Sequence, residues 1–514
     1  MSYAIPYQSD ETVLHYAAEP ELSFVPRSRM QWLPMVIPLV LSGASWAGGG
    51  APALTDLAFF LFTLWAGLAL TLEFFYFPRR FGIGGILLWG GVLIWFCQDY
   101  FTHWYGLNFT EHPWMPAAVV AKAAFLHMLF ISMMSIGLGI QKGDWAVKAL
   151  TSVPDPGDDR FYLWVVIVIT LFGMTPYIFF SAEPWYKCMY HAAFQCWTEA
   201  PKYTVSRDGN LNYSWGGYVA QIMQVGEIGG LAAIVYSILI ARSTAGRLLG
   251  FVIWGYYALL AFQTGRRGAF IFNVIPPIAL LFIKYQTRVA GALKRFSFGP
   301  FVLCGLLAVL TNVVVQVQAN FRDTSLGAAD LSKIDFTANK GNTMFSEGLL
   351  GYELVPDRQP FFYASDFPGE GAFVAIPKTV IDFVIGIIPR ALWHDKPVDG
   401  LWEWYNHVYQ GTGREGTTIS KGLVGSWYFK YGLPGMIEGG LLVGWLMGIS
   451  ERALQTSGGK PMHIMFALAF ATWLFRSFRD FAFPDVYGLV LAGILLYILV
   501  PLMRPILGNA PAGQ

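Results

Sequence analysis

The sequence predicts an all-α polytopic membrane protein of about twelve transmembrane helices, and three observations predict it. The 514-residue chain is 55% hydrophobic and only 13% charged, whereas a soluble chain carries about 25% charged residues. Apolar runs near the roughly 20 residues that cross a bilayer recur from end to end. Short turns between those runs carry Lys and Arg on alternate sides, the pattern that sets membrane orientation.

The elements follow in order. Residues 1–31 form a polar N-terminal tail, with Arg27 and Arg29 just ahead of the first apolar run. A leader this long reads as a cytoplasmic tail before an uncleaved helix, not as a signal peptide. Apolar runs then fall at 32–48, 55–76, 83–100, 114–139, 161–181, 218–241, 248–264, 269–284 and 299–319. Three more lie at 427–449, 461–477 and 485–504, and 505–514 is a short cytoplasmic tail. Helices one to nine therefore occupy 32–319 and helices ten to twelve 427–504. With the N-terminus inside, the inner turns and tails hold Arg79, Arg80, Lys142, Lys148, Arg160, Arg242 and Arg247. Lys284, Arg288, Lys294, Arg295, Arg452, Lys460 and Arg504 complete the inner set.

Three longer pieces remain outside. Residues 101–113 are aromatic and include His103 and His112, and 182–217 form a middle loop. Residues 320–426 are too long for a plain connector and are expected to carry function. Within them, 376–393 is apolar but interrupted by Asp382 and Pro389. Too short and broken to span, it is expected to lie as an interfacial or re-entrant helix.

Several classes are excluded or unsupported. There is no Walker loop, no metal-ligand spacing and no duplicated six-helix half. The turn Phe77-Pro78-Arg79-Arg80-Phe81-Gly82 reads as a basic, topology-setting loop. Four cysteines are too few for a disulfide scaffold; Cys188 and Cys196 share one outer loop and either pair in an oxidising periplasm or stay thiols.

About half of the 34 Lys and Arg fall on the outer side, against the usual bias. The outer set is Lys187, Lys202, Arg207, Arg266, Arg267, Arg322, Lys333, Lys340, Arg358, Lys378, Arg390, Lys396, Arg414, Lys421, Lys430, Arg476 and Arg479. Long translocated loops escape the charge rule, so Lys333 and Lys340 carry little information. Arg266 and Arg267 differ, because Thr264-Gly265-Arg266-Arg267-Gly268 is a very short turn between two apolar runs, where Arg should be rare. Their planar forks suit phosphate oxygens; the alternative is pairing with lipid headgroups or a carboxylate. Arg476 and Arg479 share one helical face, where they contact a ligand or pair with Asp480 or Asp485. Arg390 and Lys396 flank Trp393 just after the interfacial segment. Inside the runs, Lys122, Glu227 and Glu438 are charges expected to be functional or paired, while His127 reads as a packed polar contact.

The stretch Ile387-Ile388-Pro389-Arg390-Ala391-Leu392-Trp393-His394-Asp395-Lys396-Pro397 resembles the bacterial O-antigen polymerase (Wzy-type) family of oligosaccharide repeat-unit polymerases. Gly422-Leu423-Val424-Gly425-Ser426-Trp427-Tyr428, the Gly432-Leu433-Pro434-Gly435 turn and the 264–268 turn are also similar to segments of that family. The resemblance covers mainly residues 260–450. It implies a GT-C-like fold in the bacterial inner membrane with the active site on a large periplasmic loop. It implies undecaprenyl-pyrophosphate-linked oligosaccharides as substrates, with neither metal nor other cofactor. A flippase and a chain-length regulator are the implied protein partners, and nucleic acid is not among them.

On this reading Arg266, Arg267 and Arg390 grip the pyrophosphate. Lys396, Arg414, Lys421, Arg476, Arg479 and Trp393 contribute to substrate binding. His394, Asp395 and Glu353 are candidates for the base that deprotonates the acceptor hydroxyl. Two other functions remain open at this point. An O-antigen ligase-like transferase uses the same donor, and a transporter or flippase of lipid-linked oligosaccharide needs polar residues along several helices.

Overall fold

A chain in hydrocarbon must satisfy each backbone N–H and C=O internally, which leaves the helix as the form open to these apolar runs. The computed structural model describes residues 32–80, 82–98, 100–101, 105, 117–179, 213–263, 267–284, 375–388, 393, 422–478, 481 and 484–507. Every regular element among them is helical. They are α1 (Val36–Ala47, after a 3-10 turn Leu33–Met35), α2 (Pro52–Arg80), α3 (Ile83–Val92, continued by a π-helical turn Leu93–Cys97) and α4 (Ala117–Leu138). Next come α5 (Asp144–Thr151), α6 (Asp159–Phe179), α7 (Tyr213–Val235, continued by a π-helical turn Tyr236–Ile240), α8 (Thr244–Gln263) and α9 (Arg267–Lys284). The last four are α10 (Ala375–Ile387), α11 (Gly422–Thr456), α12 (Pro461–Arg476) and α13 (Pro484–Leu507).

All the expected runs but one lie on these helices; the run at 299–319 falls outside the described residues. Among the described residues, seven helices contain a stretch long and apolar enough to cross a membrane: α2, α4, α6, α7, α8, α11 and α13. The α1 and α3 regions, Leu33–Ala47 and Ile83–Cys97, are shorter apolar helices. Exposed apolar residues run in stripes, as in Leu57, Phe60, Leu64, Leu68 and Leu72 of α2. Such continuous apolar surface suits lipid, not water. The protein is an α-helical membrane protein.

Burial separates inner from outer helices. The membrane-crossing stretches of α4 and α7 are 72% buried, while those of α8 and α2 are 28% and 33% buried. α12 is buried on all faces from Met462 to Phe475 except at Phe470. Apolar packing alone does not drive helices together in lipid, so close backbone approach has to. Gly440, Gly444 and Gly448 of α11 recur at intervals of four and line one face. A Cβ on Gly440 would lie 2.5 Å from Phe130 O, and one on Gly448 2.9 Å from Leu138 O. Gly444 sits closer still to Met134 O, and Gly137 of α4 meets Leu441 O in return. The same device joins α6 to α7, where Gly173 meets Gly226 backbone to backbone.

At one end of the bundle, three of the cations expected on the inner side, Arg247, Lys284 and Arg452, close helix ends. α11 extends further than expected, so Arg452 lies on its last turns and not in a connecting loop. Its guanidinium donates to Gln141 O and, at 2.8 Å, to Lys142 O, beyond the end of α4. Trp445 Nε1–H also reaches Lys142 O, at 2.6 Å. Arg247 Nε–H donates to Ala241 O at 2.9 Å, and Lys284 Nζ to Ile238 O at 2.5 Å, both at the end of α7. Carbonyls left over at helix C-termini thus receive cationic donors. The connection between α4 and α6 at this end also contains the amphipathic α5, whose Val147 is buried while Trp145 faces out.

Gly444→Leu should lower stability by about 1–3 kcal/mol or more, because the bulk falls on a backbone carbonyl that cannot retreat. Gly255→Ala, where an added Cβ meets nothing within 4 Å, should leave stability within about 0.5 kcal/mol. Thermal unfolding of the detergent-solubilised protein compares the two.

Candidate functional site

The opposite end of the bundle is built around α10. Thirteen residues give a helix of about 20 Å, too short to span. Val380, Ile381, Val384 and Ile387 form one exposed apolar face, while Ala375 and Thr379 are buried against the bundle. The expected segment ran to 393, but the helix stops at Ile387. Pro389 explains the early stop: its ring disfavours helical conformation at Ile388 and removes an N–H donor.

Three contacts hold α10 in place. Glu438 Oε2 accepts from the N–H of Ile376 at 2.9 Å, satisfying an otherwise open amide of the first turn. Lys430 Nζ reaches Asp382 Oδ2 at 3.5 Å. Tyr487 of α13 donates its hydroxyl to Phe383 O at 3.0 Å, and it covers Gly386 so closely that no Cβ fits there. Asp382, which interrupts the apolar pattern in sequence, is therefore a polar-face anchor. Glu438, read as a charge inside a helix, caps a neighbouring helix.

Both acidic and basic grips come from α11, on either side of a kink. Gly432 has φ 64° and ψ −151°, a region only glycine enters cheaply. Pro434 then restarts the helix at a position where its missing N–H costs nothing. The Gly432-Leu433-Pro434-Gly435 segment, expected as a turn, is thus a break within α11. The break turns Lys430 toward Asp382 while Glu438 reaches Ile376.

Aromatic rings wedge the α11 entrance against α12. Trp427 packs on Tyr431 and Phe481 with ring centroids 5.8 and 5.5 Å apart. Trp473 joins Phe481 at 5.5 Å, and Leu423 N–H donates to Phe478 O at 3.0 Å. Nearby, Lys122 Nζ lies 5.8 Å from the Trp46 ring and 5.2 Å from Tyr428. Cation–π attraction of this kind suits a charge facing the bundle interior. His127 donates Nδ1–H to Ala123 O at 2.7 Å beside Phe96, which makes it the packed contact its sequence context predicts.

Arg476 closes α12 at this same end. It lines a cavity of about 20 Å³ with Gln224, Glu227, Trp473, Val486 and Leu489. The acid brought to this cavity is Glu227 of α7, which is remote in sequence. The volume holds about one water, far below the several hundred Å³ of a small-molecule site. Arg267 opens α9. Lys284 ties the other end of α9 to the basic end of the bundle, so Arg267 lies at the α10 end. Trp393 is partly exposed. Arg266, Arg390, His394, Asp395, Glu353, Lys396, Arg414, Lys421 and Arg479 lie outside the described residues, as do Cys188 and Cys196.

Two acids in α2 belong beside the charges singled out from sequence. Asp56 accepts the Tyr100 hydroxyl, next to the stacked Phe59–Tyr100 rings at 3.7 Å. Glu73 is 2% exposed and presses on Gly85. Their signal was available: two carboxylates in one apolar run, at positions 56 and 73. No protein-family model, curated protein or solved structure matches the chain.

Glu438→Ala should cost about 0.5–2 kcal/mol, the range for losing an N-terminal cap, and speed hydrogen exchange at 376–380. Lys430→Met should change stability by less than about 1 kcal/mol, because the pair is partly exposed. Hydrogen–deuterium exchange of both variants measures the contrast.

Proposed function

We propose that this protein is a membrane glycosyltransferase of the repeat-unit polymerase type. It transfers a growing glycan from undecaprenyl pyrophosphate to the non-reducing end of a lipid-linked repeat unit. The observation that carries the reading is the anchored α10, held by Glu438, Lys430 and Tyr487 at the bundle end where Arg267 and Arg476 also lie. The sequence that resembles the polymerase family, from Ile387 through Arg390 to Lys396, follows directly on that helix. About twelve spans, a GT-C-like arrangement, the bacterial inner membrane and a periplasmic active side complete the proposal.

The chemistry needs cations at a membrane surface. The acceptor hydroxyl oxygen forms a bond to the anomeric carbon as the bond from that carbon to the pyrophosphate oxygen breaks. The hydroxyl proton passes to a base, for which His394, Asp395 and Glu353 are the candidates. The leaving pyrophosphate gains negative charge, and Arg266, Arg267 and Arg390 stabilise it more in the transition state than before it. Lys396, Arg414, Lys421, Arg476, Arg479 and Trp393 assist in binding the carrier or the sugars.

A ligase-like transferase uses the same donor and is the second reading. It differs in its acceptor, so it consumes finished polymer without lengthening it. Transport is the third reading; what favours transfer over it is that Lys430, Glu438 and Arg476 lie together at the α10 end.

The reconstituted full chain, given a defined undecaprenyl-pyrophosphate repeat unit, should produce a ladder of lengthening products on a gel. Arg266→Ala, Arg267→Ala and Arg390→Ala should each reduce ladder formation by about 10²–10³-fold, as for loss of a transition-state donor, with insertion unchanged. Wild-type ladders in all three variants would remove the diphosphate clamp. Transfer to a distinct acceptor without any ladder would favour the ligase.

A further inference from the structure

A second feature lies at the basic end of the bundle, away from α10. The loop between α5 and α6 folds beneath the end of α13 and the start of α12, and together they line an open cavity of about 910 Å³. Ser152, Asp155, Lys460, His463, Pro501 and Arg504 are among its walls.

The loop is fixed from three sides. Tyr497 donates its hydroxyl to Ser152 O at 2.9 Å and lies 2.7 Å from Ser152 Oγ. His463 donates Nε2–H to Val153 O at 2.9 Å. Asp155 accepts from Gly157 N–H at 2.9 Å and, through its other oxygen, from Met462 N–H at 3.0 Å. Asp155, the one acid among the described wall residues, therefore spends both oxygens on amides. Lys460 Nζ and the Arg504 guanidinium, in contrast, make no hydrogen bond or ion pair to any described residue. Elsewhere at this end Arg247, Lys284 and Arg452 all donate to backbone carbonyls.

The cavity opens onto an apolar track. Val500 and Pro501 contribute to its lining. Ile494, Tyr497, Ile498 and Leu502 then mark a continuous face of α13, each about half exposed or more. That face lies within the membrane-crossing stretch Val486–Pro505. A free phosphate would need only the two cations. A phospholipid needs cations for its headgroup and an apolar face for its chains, and this site offers both in contact.

We propose that this cavity binds the headgroup of an anionic phospholipid. Its phosphate sits between Lys460 and Arg504, and its acyl chains lie along Ile494, Ile498 and Leu502. Basic pockets at the ends of transmembrane helices recognise such headgroups by charge. The proposal is independent of the glycan-transfer reading, because it concerns the other end of the bundle.

Native mass spectrometry of the purified full chain tests it with dioleoylphosphatidylglycerol, dioleoylphosphatidylcholine and inorganic phosphate. Wild-type protein should retain the phosphatidylglycerol about tenfold better than the phosphatidylcholine. The double variant K460Q/R504Q should lose that preference, and K148Q, altered outside the cavity, should keep it. Both substituted positions are exposed; the single variants K460Q and R504Q, each expected to lose part of the preference, carry the test should the double variant unfold. Equal retention of the two lipids by the wild type, or an unchanged preference in the variants, overturns the proposal. So does binding of inorganic phosphate that depends on Lys460 and Arg504 without any preference between lipids, which would make the cavity a free-anion site.

Discussion

The contact between α4 and α11 is the constraint from which most of the architecture follows. Lipid gives apolar side chains no reason to prefer each other over acyl tails. Gly440, Gly444 and Gly448 remove the side chains instead and bring α11 against the carbonyls of Phe130, Met134 and Leu138. α11 then runs through both working ends of the molecule. Near its start Lys430 and Glu438 hold α10. Near its finish Trp445 and Arg452 tie down the turn after α4. A shift of this one interface would displace both ends together.

Charge is used differently at the two ends. At the basic end, Arg247, Lys284 and Arg452 satisfy carbonyls at or just beyond helix C-termini. At the α10 end, charged groups work across elements: Glu438 on an amide of α10, Lys430 on Asp382, Lys122 between two aromatic rings. These contacts make a rigid platform from a helix too short to anchor itself. The proposed lipid-linked transfer would draw on such a platform, since positioning accounts for much of the barrier reduction in group transfer.

Much of this was legible in the amino-acid order. The helices were, because an apolar run of fixed length in a low-charge chain has no alternative to helix in lipid. The short α10 was too, from Asp382 and Pro389 breaking an apolar stretch; its end at Ile387 was less so, because the apolar run continues to residue 393 while the backbone constraint of Pro389 ends the helix earlier. Less legible were the roles of individual charges. Glu438 read as an embedded acid and proved to be a cap for a helix some 60 residues earlier. Sequence left Arg476 between a ligand contact and pairing with Asp480 or Asp485, and gave no sign that Glu227 would line the same cavity.

The division has a physical cause. Hydrophobicity and proline act locally, so the sequence by itself determined that the chain is helical and membrane-embedded and that the apolar segment after residue 375 is too broken to span. Partnership between charges acts across space and has no period along the chain. Only the packing of α4 on α11, and of α7 beside α12, decided which carboxylate meets which amide and which cations remain available for a ligand.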